Sequence, residues 1–302
     1  MWLARAELVS AVSNAGGLGI MSSLIFTTAD EMSREIRKTR RLTDKPFAVN
    51  VTILPSLRKT GREEFVQTAI EEGVGIIETA GRNPESLMPL LKASNVKVIH
   101  KVARVKDALN AAQAGVDAVT IVGFEAGGHP GMDDVGLMAL LPRAVDALKI
   151  PVIAGGGIAD GRGLVAALAL GAEGVVMGTR FMMSRECPLH PDIKQALLNA
   201  SETDTILIER SIRNAARVLK TDFSLKIREM EEKGVTREEL APFISGLREK
   251  KLMDDGNVND GIIHCGQGVG LIHDIPSVRE IIEGMMGEAG AITERLNKLS
   301  RT

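Results

Sequence analysis

The feature that most restricts what this chain can fold into is an alternation. Short apolar runs with β-forming residues fall at 18–21, 47–52, 75–80, 96–102, 118–122, 151–154 and 174–177. Amphipathic or capped helical stretches lie between them, among them 28–39, 62–72, 105–114, 137–148 and 161–170. Strands that look buried and alternate with helices argue for βαβ units and a parallel sheet of the α/β class. A closed barrel of this kind has eight strands, and the pattern supplies seven. The chain opens directly on a helical stretch, WLARAELVSAVSNAGG, that stops at Gly16, where a repeating strand-then-helix chain would first carry a strand. The pattern therefore leaves an open doubly wound sheet, or a (β/α)8 TIM barrel whose first strand is missing. We favour the barrel.

After Phe181 the pattern changes. Over 189–251 the stretches TDTILIERSIRNAARVLK, SLKIREMEEKG and TREELAPFISGLREKK read as charged helices, and strand signals vanish. The expected organisation is a barrel domain over 1–188 and roughly 256–302, with a C-terminal helical cap over 189–255 facing the substrate. A length of 302 residues suits one barrel with additions. The formal net charge of −2 gives no reason to expect nucleic acid or an anionic membrane as a partner. No apolar run approaches the roughly 18 residues of a membrane span, and the N-terminus has no signal-peptide core. Cys187 and Cys265 lack the paired spacing of a zinc site or disulfide framework, so no metal is expected and the cytoplasm is the expected compartment.

The 31 glycines cluster, as AGGLG, EAGGHPG, AGGGIADGRG, GAEGVVMG and CGQGVG. Clusters that end apolar runs mark turns where backbone must come close to something. PVIAGGGIADGRG sets Gly155, Gly156 and Gly157 after one strand, and GAEGVVMGTRF sets Met177, Gly178 and Thr179 after the next. In barrels, the loops after the last two strands commonly bind phosphate through backbone N–H groups and a helix N-terminus, and Thr179 would add a hydroxyl donor. Tight turns alone would explain a single Gly-Gly, but explain less well two such strand ends one unit apart. FAVNVT supplies Asn50 and Thr52, and VKVIHKV supplies His100 and Lys101, at strand ends where a barrel keeps its active site. Taken alone, Lys101 reads as a solvated rim residue; beside a phosphorylated cofactor it would stabilise negative charge. GFEAGGHPG surrounds His129 with glycines, Gly128 among them. A core histidine wants bulky neighbours, whereas one presented to something bound close to the backbone wants none.

Together, GFEAGGHPG, VIAGGGIADGRGLVAALALGAEGVVMGTRF and the opening RAELVSAVSNAGGLG resemble the nitronate monooxygenase family, formerly called 2-nitropropane dioxygenases, which are FMN-dependent TIM barrels. HPGMDD, SRECPLHP and RSIRNAARV look most like a subgroup whose activity is NAD(P)H:quinone reduction. Broader relatives include the flavin-dependent enoyl reductases of bacterial fatty-acid synthesis. The resemblance implies an FMN phosphate on Gly155, Gly156 and Gly157 and on Gly178 and Thr179. It implies Asn50, Thr52 and Lys101 along the flavin ring and ribityl chain, with Gly128 close to the isoalloxazine. Met177 reads first as core filler and second as a flavin contact. His129 would face the substrate, where it could transfer a proton or stabilise an anion.

The implied reaction is oxidation of alkyl nitronates with dioxygen to carbonyl compounds and nitrite. The alternative is quinone reduction with NAD(P)H as electron donor on the same FMN site. A further alternative is a truncated, non-enzymatic barrel without flavin. Implied partners are a small-molecule substrate and dioxygen, with neither nucleic acid nor membrane, and an oligomer is compatible with all of this. Family members have a first strand ending in a Gly-Gly-Met type turn that touches the flavin, and Met1-Trp2 aligns with the far side of that turn. Barrels similar to the inosine monophosphate dehydrogenases need a catalytic cysteine after an earlier strand, and none lies between Met1 and Glu186. His190, His264 and His273 read as surface or loop histidines, His100 as strand-end packing, and both cysteines as inert. Gln267 keeps two readings, a turn residue or a polar group reaching the site.

Overall fold

In a computed structural model that describes residues 2–53 and 61–299, the alternation is realised. The chain runs α1 (Ala6–Asn14), β1 (Gly19–Ser22), α2 (Ala29–Leu42), β2 (Phe47–Ile53), α3 (Arg62–Glu71), β3 (Ile76–Gly81) and α4 (Met88–Ala93). It continues through β4 (Lys97–Val102), α5 (Val105–Ala114), β5 (Ala118–Val122), α6 (Leu137–Ala147), β6 (Val152–Gly155), α7 (Gly161–Ala169) and β7 (Gly174–Val176). The seven strands form one parallel sheet in strict sequence order. A doubly wound sheet reverses its strand order at a switch point, and this sheet has no reversal. The barrel reading therefore holds.

Register explains how one strand serves two layers. Met21 pairs with Val49, Val49 with Ile77 and Ile77 with Val98, so one face carries an aliphatic row. That row packs with Met32, Ile36, Val66, Leu91 and Leu141 of the surrounding helices. Each such aliphatic side chain contributes about 1.5–3 kcal/mol when removed from water. The opposite, barrel-facing positions carry Asn50 opposite Glu78, with Lys101 opposite Ala80.

Beyond β7 come α8 (Thr179–Met182), α9 (Pro191–Leu198), β8 (Thr205–Ile208), β9 (Ala216–Leu219), α10 (Asp222–Glu232), α11 (Arg237–Leu240), α12 (Gly246–Asp255) and α13 (Val278–Leu299). α13 packs against both α7 and α1. It thus closes the helical ring on the side where β1 and β7 each have one partner strand among the described residues. The segment before α1 lies along the free edge of β1, where Ser22 N donates to Ala4 O at 3.4 Å.

One expectation is corrected. β8 and β9 form an antiparallel hairpin, so TDTILIERSIRNAARVLK is not helical throughout and the cap is mixed rather than helical. Ile208, Ala216 and Val218 of the hairpin bury against Phe223, Ile227 and Leu240 in a small core of their own. No helix among the described residues is long and apolar enough to cross a membrane.

Candidate active site

Of the five glycine clusters, all but AGGLG converge beyond the ends of β5, β6 and β7. Gly123 N donates to Gly155 O at 2.9 Å, Gln267 N to Glu125 O at 2.9 Å, and Gly266 N to the Thr179 hydroxyl at 2.9 Å. These loops touch backbone to backbone. A Cβ on Gly127 would lie 2.5 Å from the Cys265 carbonyl carbon, and one on Gly266 would lie 2.7 Å from Glu125 O. Gly156 and Gly157 turn the chain away from β6 with φ of +108° and +72°, a region open mainly to glycine. Two other glycines face outward from this contact. A Cβ on Gly128 or on Gly178 would meet no atom within 4 Å. The result is a tight knot of loops with open space at Gly128 and at Gly178.

The structure also limits which groups can serve an anion there. Asp160 caps α7, accepting from Arg162 N and Gly163 N, and Gly161 N donates to Glu288. These N–H groups already face carboxylates, so the end of α7 does not add to a phosphate site as the sequence suggested. The Thr179 hydroxyl accepts from Gly266 N, and a hydroxyl that accepts can still donate its own proton. Met177 packs, half-buried, against the barrel core.

Inside the barrel, Thr52 donates to Asn50 Oδ1 at 2.9 Å, and Asn50 Nδ2 donates to Glu78 Oε2 at 2.6 Å. Lys101 Nζ donates to the same Glu78 oxygen at 2.9 Å. Glu78 was missed in the sequence, although a carboxylate inside the apolar run GIIETAG is a costly placement that signals a purpose. Its other oxygen, Oε1, is buried without a hydrogen-bond partner among the described residues. His100 points the other way, with Nδ1 2.8 Å from the Thr79 hydroxyl, and burial pushes its pKa down to about 4. It is a packing histidine. A cavity lined by Arg82, His100, Arg104 and Asn110 lies on that outer side, away from the glycine knot.

His129 stands next to the open Gly128. Gly128 N donates to Arg217 O at 3.0 Å, and Arg217 N returns a bond to Gly128 O at 2.6 Å, so β9 pins the histidine loop. Arg217 adds bonds to Phe124 O and to the Thr205 hydroxyl, and its guanidinium lies 4.4 Å from the Phe124 ring centre. The His264 ring lies 6.0 Å from that of His129, centroid to centroid, so His264 is part of this site and not a surface histidine. Asn214 Nδ2 lies 3.2 Å from His129 Nε2 and 2.5 Å from Glu209 Oε2. Burial, then the neighbouring His264, lowers the His129 pKa. His129 is exposed to solvent, and its lowered pKa leaves the imidazole neutral at pH 7. Burial raises the thiols of Cys187 and Cys265 to about 11 and about 12, which keeps both protonated and unreactive. Gln267 lies in the knot through its backbone N–H.

Residues 1–288 match the sequence profile of the nitronate monooxygenase family. The chain is 34% identical over 327 residues to a (3aS,4S,5R,7aS)-5-hydroxy-7a-methyl-1-oxo-octahydro-1H-indene-4-carboxyl-CoA dehydrogenase of Rhodococcus jostii, covering 95% of this chain and 90% of the relative. It is 31% identical to a probable nitronate monooxygenase of Staphylococcus saprophyticus, covering 96% and 92%. Among solved structures, FabK from Thermotoga maritima superposes with a TM-score of 0.92 at 38% identity, over 99% of this chain and 93% of that one.

Proposed function

We propose that this chain, which belongs to the nitronate monooxygenase family, is an FMN-dependent oxidoreductase that oxidises alkyl nitronates with dioxygen to carbonyl compounds and nitrite. Two observations test whether a flavin mononucleotide suits the residues present. The open space beyond Gly128 and Gly178 is a cradle that any side chain there would fill, and the unpartnered Glu78 Oε1 is an acceptor lacking a donor. A flavin brings a ring for the space at Gly128, a phosphate for the space at Gly178, and ring or ribityl donors for Glu78. The residues fit. Gly155, Gly156, Gly157, Gly178 and Thr179 would hold the phosphate, and Asn50, Thr52 and Lys101 would line the ring and ribityl chain. Met177 would pack beside them.

The observation that carries the reading is the neutral, accessible His129 held beside the cradle by the Gly128–Arg217 bond pair. When bound, the flavin supplies the redox chemistry, taking electrons from the substrate and passing them to dioxygen. The chain's own work is positional. A nitronate is already an anion, so His129 need not deprotonate it; a ring N–H would orient the anion, and the imidazole would exchange a proton later in the reaction. Lys101 would offset negative charge deeper in the barrel. Residues 189–255 would cover the substrate side. The two unpaired, buried thiols fit residence in a reducing compartment, the cytoplasm.

A second reading comes from the 34% identity to the CoA-ester dehydrogenase, in which a CoA thioester takes the place of the nitronate. One experiment separates the readings: flavin-loaded protein is mixed anaerobically with a nitronate, NADH, NADPH or an acyl-CoA in turn, and flavin absorbance is followed. Bleaching by the nitronate supports the proposal. Bleaching by a nicotinamide alone favours the quinone-reductase alternative, bleaching by the thioester alone favours the second reading, and either result refutes the nitronate assignment.

A further inference from the structure

The turn joining β8 to β9 is built in an unusual way. Glu209 and Arg213 both adopt left-handed backbone, with φ of +61° and +56°, although neither is glycine. Such strain persists only where surrounding structure enforces it, and here the bonds are visible. Glu231 of α10 accepts from Glu209 N, Ser211 N and the Ser211 hydroxyl, and Arg210 reaches Asp134 at 2.7 Å. The strained turn delivers one group to the active site, the Asn214 side-chain amide between Glu209 and His129.

A carboxylate only accepts hydrogen bonds, an amide nitrogen only donates, and an amide oxygen only accepts. A single Asn214 terminal atom faces both neighbours and meets Glu209 through Oε2, so two arrangements follow, according to whether Oε2 carries a proton. With Glu209 ionised, Nδ2 faces both and donates to both; His129 Nε2 must then be bare and Nδ1 carries the proton. With Glu209 protonated, its O–H needs an acceptor. Rotation of the amide presents Oδ1 to both neighbours, and His129 must then donate from Nε2. We propose that Glu209 sets, through the Asn214 amide, which ring nitrogen of His129 carries its proton: Nδ1 when Glu209 is ionised, Nε2 when it is protonated. Asn214 and Glu209 are thus positioning residues, and the inference deepens the reading of His129 as the group facing substrate. No net redox change is involved. Glu209 takes one proton from water, and the imidazole returns one from Nδ1 and gains one at Nε2.

The groups around Glu209 place its titration in a usable range. Burial raises its pKa to about 7, Asn214 opposes this, Glu231 adds to the rise and Arg237 opposes it. Beside His129 stand His264 and, on α12, Glu249, and its lowered pKa keeps the ring neutral while Glu209 titrates.

The test is a pH series of nitrogen NMR spectra on the full-length, flavin-loaded protein labelled with 15N-histidine. His129 signals are identified by their loss in His129→Gln. As the pH rises through about 7, the protonated nitrogen should change from Nε2 to Nδ1. Glu209→Gln is nearly isosteric and has nothing to titrate, so the pH response should disappear while flavin content stays unchanged; Asn214→Leu should do the same by cutting the link. A wild-type ring that keeps one tautomer throughout, or a pH response that survives in Glu209→Gln, overturns the proposal. If the tautomer responds as stated but turnover does not follow it, the coupling stands and the catalytic role of His129 fails.

Discussion

Replacing Glu209 by glutamine should change how stability depends on pH, and the magnitude follows from the structure. Glu209 is 5% exposed, and its carboxyl is raised from 4.5 to about 7, chiefly by burial. A raised carboxyl pKa means that the folded chain binds the proton more tightly than the unfolded chain. That contribution is complete below about pH 4.5 and is lost as the pH rises through about 7. The rise from 4.5 to about 7, at about 1.4 kcal/mol per pH unit, gives roughly 3.5 kcal/mol in full, of which about 3 kcal/mol falls between pH 4.5 and 8.5. Glutamine cannot ionise, so the stability difference between Glu209→Gln and wild type should move in favour of the variant by about 3 kcal/mol between pH 4.5 and 8.5. For a chain of this size, that is a relative change in Tm of roughly 5 °C. The change in the difference is the quantity to read, because it cancels both the fixed cost of the new amide and the titration of His129 and His264. Thermal melts of both proteins at matched pH values provide it. Parallel curves across the range would show that Glu209 titrates as an ordinary surface acid, and the buried-acid argument would fail.

Three further outcomes are expected. Gly178→Leu fills a cradle with no neighbouring atom within 4 Å, so flavin content should collapse with little change in Tm; retained stoichiometric FMN, identified by mass after release, would refute the phosphate placement. His129→Ala should slow turnover by about 100- to 10,000-fold if the imidazole transfers a proton in the limiting step, with flavin retained and a smaller loss on a preformed nitronate than on the neutral nitroalkane. Lys101→Met leaves the buried Glu78 carboxylate with Asn50 alone. Because Lys101 is itself 34% exposed, the cost should be only about 1–2 kcal/mol in a denaturant titration, and adding Glu78→Gln should recover most of it.

How much of this could be read from the sequence depended on the range of the signal. The strand ladder was legible because a strand covered on both faces must be apolar over several consecutive residues, as FAVNVTI is, and that pattern is local. The site glycines were legible as clusters, since backbone contact excludes a Cβ whatever it touches. Their meeting was not. That CGQGVG closes on Gly127 and Gly157 depends on how α9 to α12 bring the chain back, and no local pattern encodes it. Glu78 had a visible signal, an acid inside an apolar run, but its partners Asn50 and Lys101 come from neighbouring strands and appear only once the register is known.

The hairpin failed for a different reason. Hairpin turns announce themselves by glycine or asparagine at left-handed positions, and in the seven-residue turn 209–215 between β8 and β9 those positions are held by Glu209 and Arg213. Without that mark, an apolar run followed by charges and alanines reads as helix. The same substitution that hid the turn from the sequence is what gives it a function. A glycine at 209 would have made the turn easily and left Asn214 with no carboxyl to orient it. A glutamate there keeps the strain and places a titrating group one amide away from His129, which lies 85 positions before that amide in the chain. Local sequence rules fail in this turn because its residues answer to His129 and not to the turn.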